Sequence, residues 1–145
     1  LVYVGTANSF GNGSSLEELG DETNEYTAHK YGLDYMDSKK KAQDLLLDAV
    51  KNDGLPALVV NPTFMIGPYD SKPSSGTMVL AIYNGKVPGY TRGGKNYIAV
   101  KDAAVAIANA LTMGRIGECY ILGNENIKLI LLLFTYRQLF QQVRN

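Results

Sequence analysis

The sequence predicts an α/β fold with a largely parallel sheet. Short β-rich apolar runs alternate with longer runs whose apolar residues recur at helical spacing. One of the short runs, Ala57 to Asn61, is almost continuously apolar, as a strand covered on both faces must be. The helix-like runs end on glycines, Gly54, Gly85 and Gly114, the residue that most readily closes a helix.

The elements follow in order. Leu1 to Val4 reads as a strand, with the hydroxyl of Thr6 at its end, where ligands of such sheets bind. Residues 11–25, rich in Gly, Ser and acids, read as a surface loop. A helix is predicted from Tyr26 or Asp34 to Asn52, burying Ala42, Leu45, Leu46, Ala49 and Val50. After strand 57–61, residues 66–76 read as a loop and Thr77 to Gly85 as a short helix. Asn96 to Val100 is strand-like, and Asp102 is placed to cap a helix ending before Gly114. Gly117 to Gly123 is a further strand, and Thr135 to Asn145 a final helix. Because a parallel sheet rarely begins at its centre, and Leu1–Val4 reads as an internal strand, the chain has the look of the second half of something longer.

Composition narrows the function classes. The 145 residues suit one domain of the usual ~100–200. A formal net charge of zero gives no electrostatic footprint for nucleic acid. One cysteine and one histidine are too few for a metal site, and Cys119 has no partner for an internal disulfide, so a core thiol in a reducing, cytoplasmic setting is expected. The most apolar stretch, residues 130–134, is far shorter than the about 20 residues that span a bilayer.

Tyr35 and Lys39 are the residues with chemistry in them. Four apart on a helix, they share a face, and an ammonium beside a phenol favours the phenolate. Such a phenol can move a proton to or from a substrate oxygen. Tyr26 and Lys30 repeat the spacing, but from the loop end and without the apolar periodicity behind them. Alone, either pair would be a solvated helix face.

The neighbours decide. Strand-Thr6-Ala7 is followed by Tyr35-Met36-Asp37-Ser38-Lys39, then by Asn61-Pro62-Thr63-Phe64-Met65-Ile66-Gly67-Pro68. Gly93-Gly94-Lys95-Asn96 then leads into YIAVKDAA and GECYILGNEN. In that order, over residues 1 to about 126, the set resembles the extended short-chain dehydrogenase/reductase superfamily, in its NAD-dependent epimerase/dehydratase branch and most closely the dihydroflavonol-reductase-like members.

The resemblance implies the second half of a doubly wound Rossmann-like parallel sheet plus a small C-terminal substrate-binding α/β region. Residues 1–65 would belong to the dinucleotide-binding domain and 66–145 mainly to the substrate region. It implies an NAD- or NADP-dependent oxidoreductase, epimerase or dehydratase acting on a hydroxyl or carbonyl carbon. Tyr35 would be the general acid/base, Lys39 would lower its pKa and hold the nicotinamide ribose, and the Thr6 hydroxyl would bind the substrate oxygen. The backbone of Pro62, Thr63, Phe64 and Met65 would pass the nicotinamide ring, while Asn8, Asn61 and the loop from Tyr69 would face a small-molecule substrate. Tyr69, Tyr83 and Tyr90 suggest an aromatic lining. A homodimer through the helix bearing Tyr35 is a further expectation.

Three departures stand against the pattern. The Gly-rich pyrophosphate turn is missing, because Gly11-Asn12-Gly13 lacks a third glycine and opens no clear helix. Gly5 stands where the family often has Ser or Thr, and the apolar run 127–134 replaces a polar turn. A second reading therefore stays open: a truncated, non-catalytic remnant or binding module without the pyrophosphate site.

Overall fold

The computed structural model describes residues 1–15, 18–72, 74–89 and 93–131. They form two compact units. The first comprises Leu1–Thr63 and Asp102–Leu122, and the second Phe64–Lys101 and the residues from Gly123 onward. The chain leaves the first unit after Thr63 and returns to it at Asp102. Strand geometry gives the reason, since residues 119–122 pair with the strand 58–62 that precedes the exit.

The first unit is built on a three-stranded parallel sheet of β1 (Val2–Val4), β2 (Leu58–Pro62) and β5 (Cys119–Leu122), with β2 in the middle. Val2 stands opposite Leu58 and Val4 opposite Val60; on the other side Val59 meets Cys119 and Asn61 meets Ile121. Every residue of β2 is buried, as its continuous apolar run requires. β1, read from the sequence as internal, has β2 as its one neighbour among the described residues.

α1 (Asp34–Asp53) starts at Asp34 rather than Tyr26, and residues Ala28–Tyr31 form a separate 3₁₀ turn. Asp34 and Asp37 lie in its first turn and Lys51 in its last, the polarity that suits a helix dipole. It closes on Gly54, whose left-handed φ of 69° lets the N–H return to the Ala49 carbonyl. The inward face differs from the expected one. Gln43 is buried, whereas Leu45 is 61% exposed. The two are about 200° apart around the helix, so the face that buries Gln43 sends Leu45 outward. α3 (Val100–Met113) begins two residues before Asp102, directly after a strand. Asp102 therefore sits in its first turn instead of capping it.

The second unit has its own three-stranded sheet. β3 (Phe64–Ile66) and β4 (Gly94–Ala99) are parallel, and β4 and β6 (Glu125–Lys128) antiparallel. The sheet is thus mixed, and β6 takes the start of the apolar run 127–134. Ile82 of α2 (Ser75–Tyr83) and Tyr97 centre its core, with Phe64, Ile66, Met78, Val87 and Ile127 around them. The Phe64 and Tyr97 rings meet edge to face at 5.3 Å.

α2 gets its cap from outside the helix. Asp70 Oδ2 accepts the N–H groups of Ser74 at 3.0 Å and Gly76 at 2.9 Å. Asp70→Ala leaves both donors open and is expected to cost about 1 kcal/mol, read as a lower urea midpoint at unchanged slope. Among the described residues no helix is long and apolar enough to cross a membrane. The expected final helix 135–145 lies outside the described residues, as does Tyr90.

Candidate active site

The end of β1 is held from two sides. Gly5 donates its N–H to the Val60 carbonyl at 2.8 Å, and Thr6 donates to Asn61 Oδ1 at 3.1 Å. Asn61 is wholly buried, so its carbonyl oxygen is committed to fixing Thr6. The next turn then folds back, and Asn8 donates its backbone N–H to Thr6 Oγ1 at 3.3 Å. A hydroxyl oxygen that accepts this bond keeps its own proton for another acceptor. Asn8 itself is exposed.

Tyr35 and Lys39 stand one turn apart at the start of α1, the helix that packs on this turn. Tyr35 is 61% exposed, and Lys39 is half-buried. Lys40 is paired with Asp44, one turn on, so of the triple-lysine run it is the one neutralised along the helix. Among the described residues Lys39 has no carboxylate partner. Ser38 turns its hydroxyl back to the Tyr35 carbonyl at 2.8 Å.

The competing pair is built differently. Tyr26 precedes the 3₁₀ turn, and Lys30 lies in that turn, so the two do not share an α-helical face. The Lys30 ammonium lies 5.2 Å from the centre of the Tyr31 ring. The Tyr26 hydroxyl donates to Asp37 Oδ1 at 2.5 Å. Desolvation, then this bond and the Asp37 charge, push the Tyr26 phenol up to about 12, the wrong direction for a base at neutral pH. The unfolded phenol titrates near ~10, so the folded state holds its proton more tightly. This contribution is complete below pH 10 and is lost as pH rises through about 12. Tyr26→Phe is therefore expected to flatten the alkaline fall of stability between pH 10 and 12, measured by urea unfolding at each pH.

The cofactor segment predicted from the sequence crosses from one unit to the other. Pro62 ends β2, and Thr63 is pinned to the end of β5, its N–H on the Leu122 carbonyl at 2.9 Å and its hydroxyl on the same oxygen at 3.1 Å. Phe64, Met65 and Tyr69 belong to the second unit. Phe64 carries the Lys95 ammonium 4.7 Å over its ring. Tyr69 is 98% exposed with a φ of 68°, a left-handed backbone rare for a bulky residue.

The donor set fits the nicotinamide-riboside half of a dinucleotide: an exposed phenol and an unneutralised ammonium on one helix, beside a turn that carries a hydroxyl. The Gly11–Gly13 turn does not suit the pyrophosphate half. Gly11 spends its N–H on the Asn24 carbonyl, and any Cβ at Gly13 would overlap the backbone of Glu18 and Gly20. Those glycines serve the close packing of the loop. Burial pushes the Cys119 thiol up, as in an unreactive core cysteine.

Sequence reading missed Ser9 and Gln43. Both are fully buried, with Ser9 Oγ, Gln43 Oε1 and Asn61 Nδ2 unpartnered among the described residues. Gln43 had a signal: it continues the four-residue spacing of Tyr35 and Lys39. Ser9 had none.

Comparison with known proteins places these features. The model of the NAD dependent epimerase/dehydratase family matches residues 1–123. A Synechocystis sp. protein with a provisional dihydroflavonol 4-reductase name is 35% identical over 117 residues, which are 77% of this chain and 34% of that protein. The crystal structure of gox2253 has a TM-score of 0.89 at 35% identity, covering 97% of this chain and 42% of its own. The dTDP-glucose 4,6-dehydratase of Bacillus anthracis, solved in complex with NAD, has a TM-score of 0.81 at 25% identity, covering 97% and 46%. The chain thus spans about a third of the length of the curated relatives it matches.

Proposed function

The chain belongs to the NAD-dependent epimerase/dehydratase family, and we propose that it supplies the catalytic helix and substrate-binding region of an NAD(P)-dependent reductase, epimerase or dehydratase. The observation that carries this reading is the pairing of the exposed Tyr35 with Lys39 on the helix that packs beside Thr6. The bound nicotinamide would supply or accept the hydride.

The chain's own residues do the rest. Tyr35 gives its phenolic proton to the substrate oxygen in reduction and takes one in oxidation. Lys39 balances the charge left on the phenol oxygen and donates to the nicotinamide ribose hydroxyls. Thr6, its oxygen already occupied by the Asn8 N–H, donates its proton to the same substrate oxygen. Asn61 acts on Thr6 from behind, through Oδ1, while Asn8 and Tyr69 offer exposed polar groups to substrate. The backbone of Pro62 to Met65 would line the nicotinamide ring.

The first unit carries the chemistry and the second the substrate. Two copies associating through α1 would cover its exposed Leu45. The cytoplasm, a reducing compartment, suits the single unpaired thiol. Nicotinamide-linked turnover of the Tyr35→Phe protein tests the reading, and unchanged turnover would leave the non-catalytic alternative standing.

A further inference from the structure

We propose that Ser9, Gln43 and Asn61 hold one buried water molecule, and that Gln43, acting through it, is a positioning residue that keeps the Thr6 turn in place beside Tyr35 and Lys39. The inference rests on the catalytic reading of those residues. Gln43 stands four residues after Lys39 and eight after Tyr35, on the same side of α1. Among the described residues it is the one that α1 buries, and Ser9 is the one buried by the turn Ala7–Ser9, on which α1 packs. β2 packs on the same turn and brings Asn61. All three residues are at most 2% exposed.

Each ends in a polar atom with no hydrogen-bond partner among the described residues: Ser9 Oγ, Gln43 Oε1 and Asn61 Nδ2. Buried polar atoms are rarely left so, because an unmade bond costs more than a made one returns. The chemistry of the three is complementary. Asn61 Nδ2 only donates, Gln43 Oε1 only accepts, and the Ser9 hydroxyl does either. They make no bond to one another. A water molecule meets all three needs with about three bonds, the number buried waters usually make. It accepts from Asn61, donates to Gln43 and bonds to Ser9. Two of these residues are tied to Thr6 by their other ends. Asn61 Oδ1 accepts the Thr6 N–H at 3.1 Å, and the Ser9 N–H donates to the Thr6 carbonyl at 2.9 Å. Gln43 joins that pair to the helix bearing Tyr35 and Lys39. An apolar side chain at this place would fill the same space and carry no bond from the helix to the turn.

The test uses the full chain and two variants, Gln43→Met, which keeps the size and loses the amide, and Ser9→Ala. A crystal structure of the unmodified protein should show a water within hydrogen-bond reach of all three atoms; side chains bonded to other groups instead overturn the proposal. Gln43→Met is expected to lower kcat at least about tenfold with KM within about twofold, since a displaced Thr6 harms the transition state more than binding. Exchange of the Ser9 amide proton should quicken about tenfold, because the turn opens more often. Ser9→Ala should lower kcat about threefold in the same way, and it serves if the Gln43 variant folds poorly; in the double variant the losses should not multiply. A Gln43 that only fills space gives the opposite. Removing an orphaned buried acceptor would raise the urea midpoint and leave kcat and exchange alone. That result overturns the proposal, as do multiplying losses in the double variant. Turnover and exchange are also measured on Tyr35→Phe, where exchange should match the unmodified protein. Unchanged turnover there would sink the catalytic reading, while faster Ser9 exchange in Gln43→Met would leave the water site standing.

Discussion

Tyr35→Phe is expected to lower nicotinamide-linked turnover by ~10²–10⁴-fold, the usual contribution of a positioned proton donor. Tyr26→Phe should leave turnover within about twofold of the unmodified protein, since it removes no group placed to exchange a proton with substrate. The contrast is sharp because the two tyrosines have the same sequence spacing to a lysine and different surroundings. The Tyr35 side chain is exposed, so deleting its oxygen costs the fold nothing, and a lost rate would be a chemical loss. The Tyr26 oxygen is tied to Asp37, so its deletion removes a stabilising contribution that is present below pH 10 and lost by about pH 12, and touches no step of the chemistry. Steady-state kinetics of both variants, with unfolding curves beside them, separate the two effects. Equal losses in both, or turnover unchanged in Tyr35→Phe, would refute the assignment of Tyr35.

How much of this was legible in the sequence depends on the range of the interaction. α1, β2, α2 and β5 were readable because periodicity and end glycines are local signals. The start of α1 was left open between Tyr26 and Asp34; a separate 3₁₀ turn, Ala28–Tyr31, lies ahead of the helix. β3 was missed: Phe64–Ile66 is three residues long and exists through its pairing with β4, over thirty residues away. The return of 102–122 to the first unit was invisible for the same reason, because it is fixed by Val59 meeting Cys119. Of the proposed site, Tyr35, Lys39 and Thr6 were candidates on spacing and resemblance. Asp70 as the cap of α2 could not, because it reaches across a loop that reads as generic turn composition.

Gly5 is the position where sequence and structure inform each other most, and Gly5→Ala is expected to destabilise the protein by about 2–4 kcal/mol. A Cβ there would collide with Asn61 Oδ1 and touch Val59 Cγ1 at 3.4 Å. Neither neighbour can give way cheaply. Val59 is wholly buried, and Asn61 is wholly buried with its oxygen already holding the Thr6 N–H. The chain must either break that bond or push β1 off Val60. A Ser or Thr, which carries the same Cβ, cannot be accommodated beside an asparagine so placed, which gives Gly5 a physical reason. A double-mutant cycle with Asn61→Ala reads this directly. Asn61→Ala alone leaves the Thr6 N–H without its acceptor, at a cost of ~1–3 kcal/mol. It also vacates the space that the methyl group introduced by Gly5→Ala needs, so the double variant should fall short of the sum by at least about 1 kcal/mol. Additive losses in urea unfolding would show that Gly5 and Asn61 do not compete for one site. Turnover should follow a different course. The double variant regains stability but not rate, because relieving the collision does not restore the bond that holds Thr6 in place.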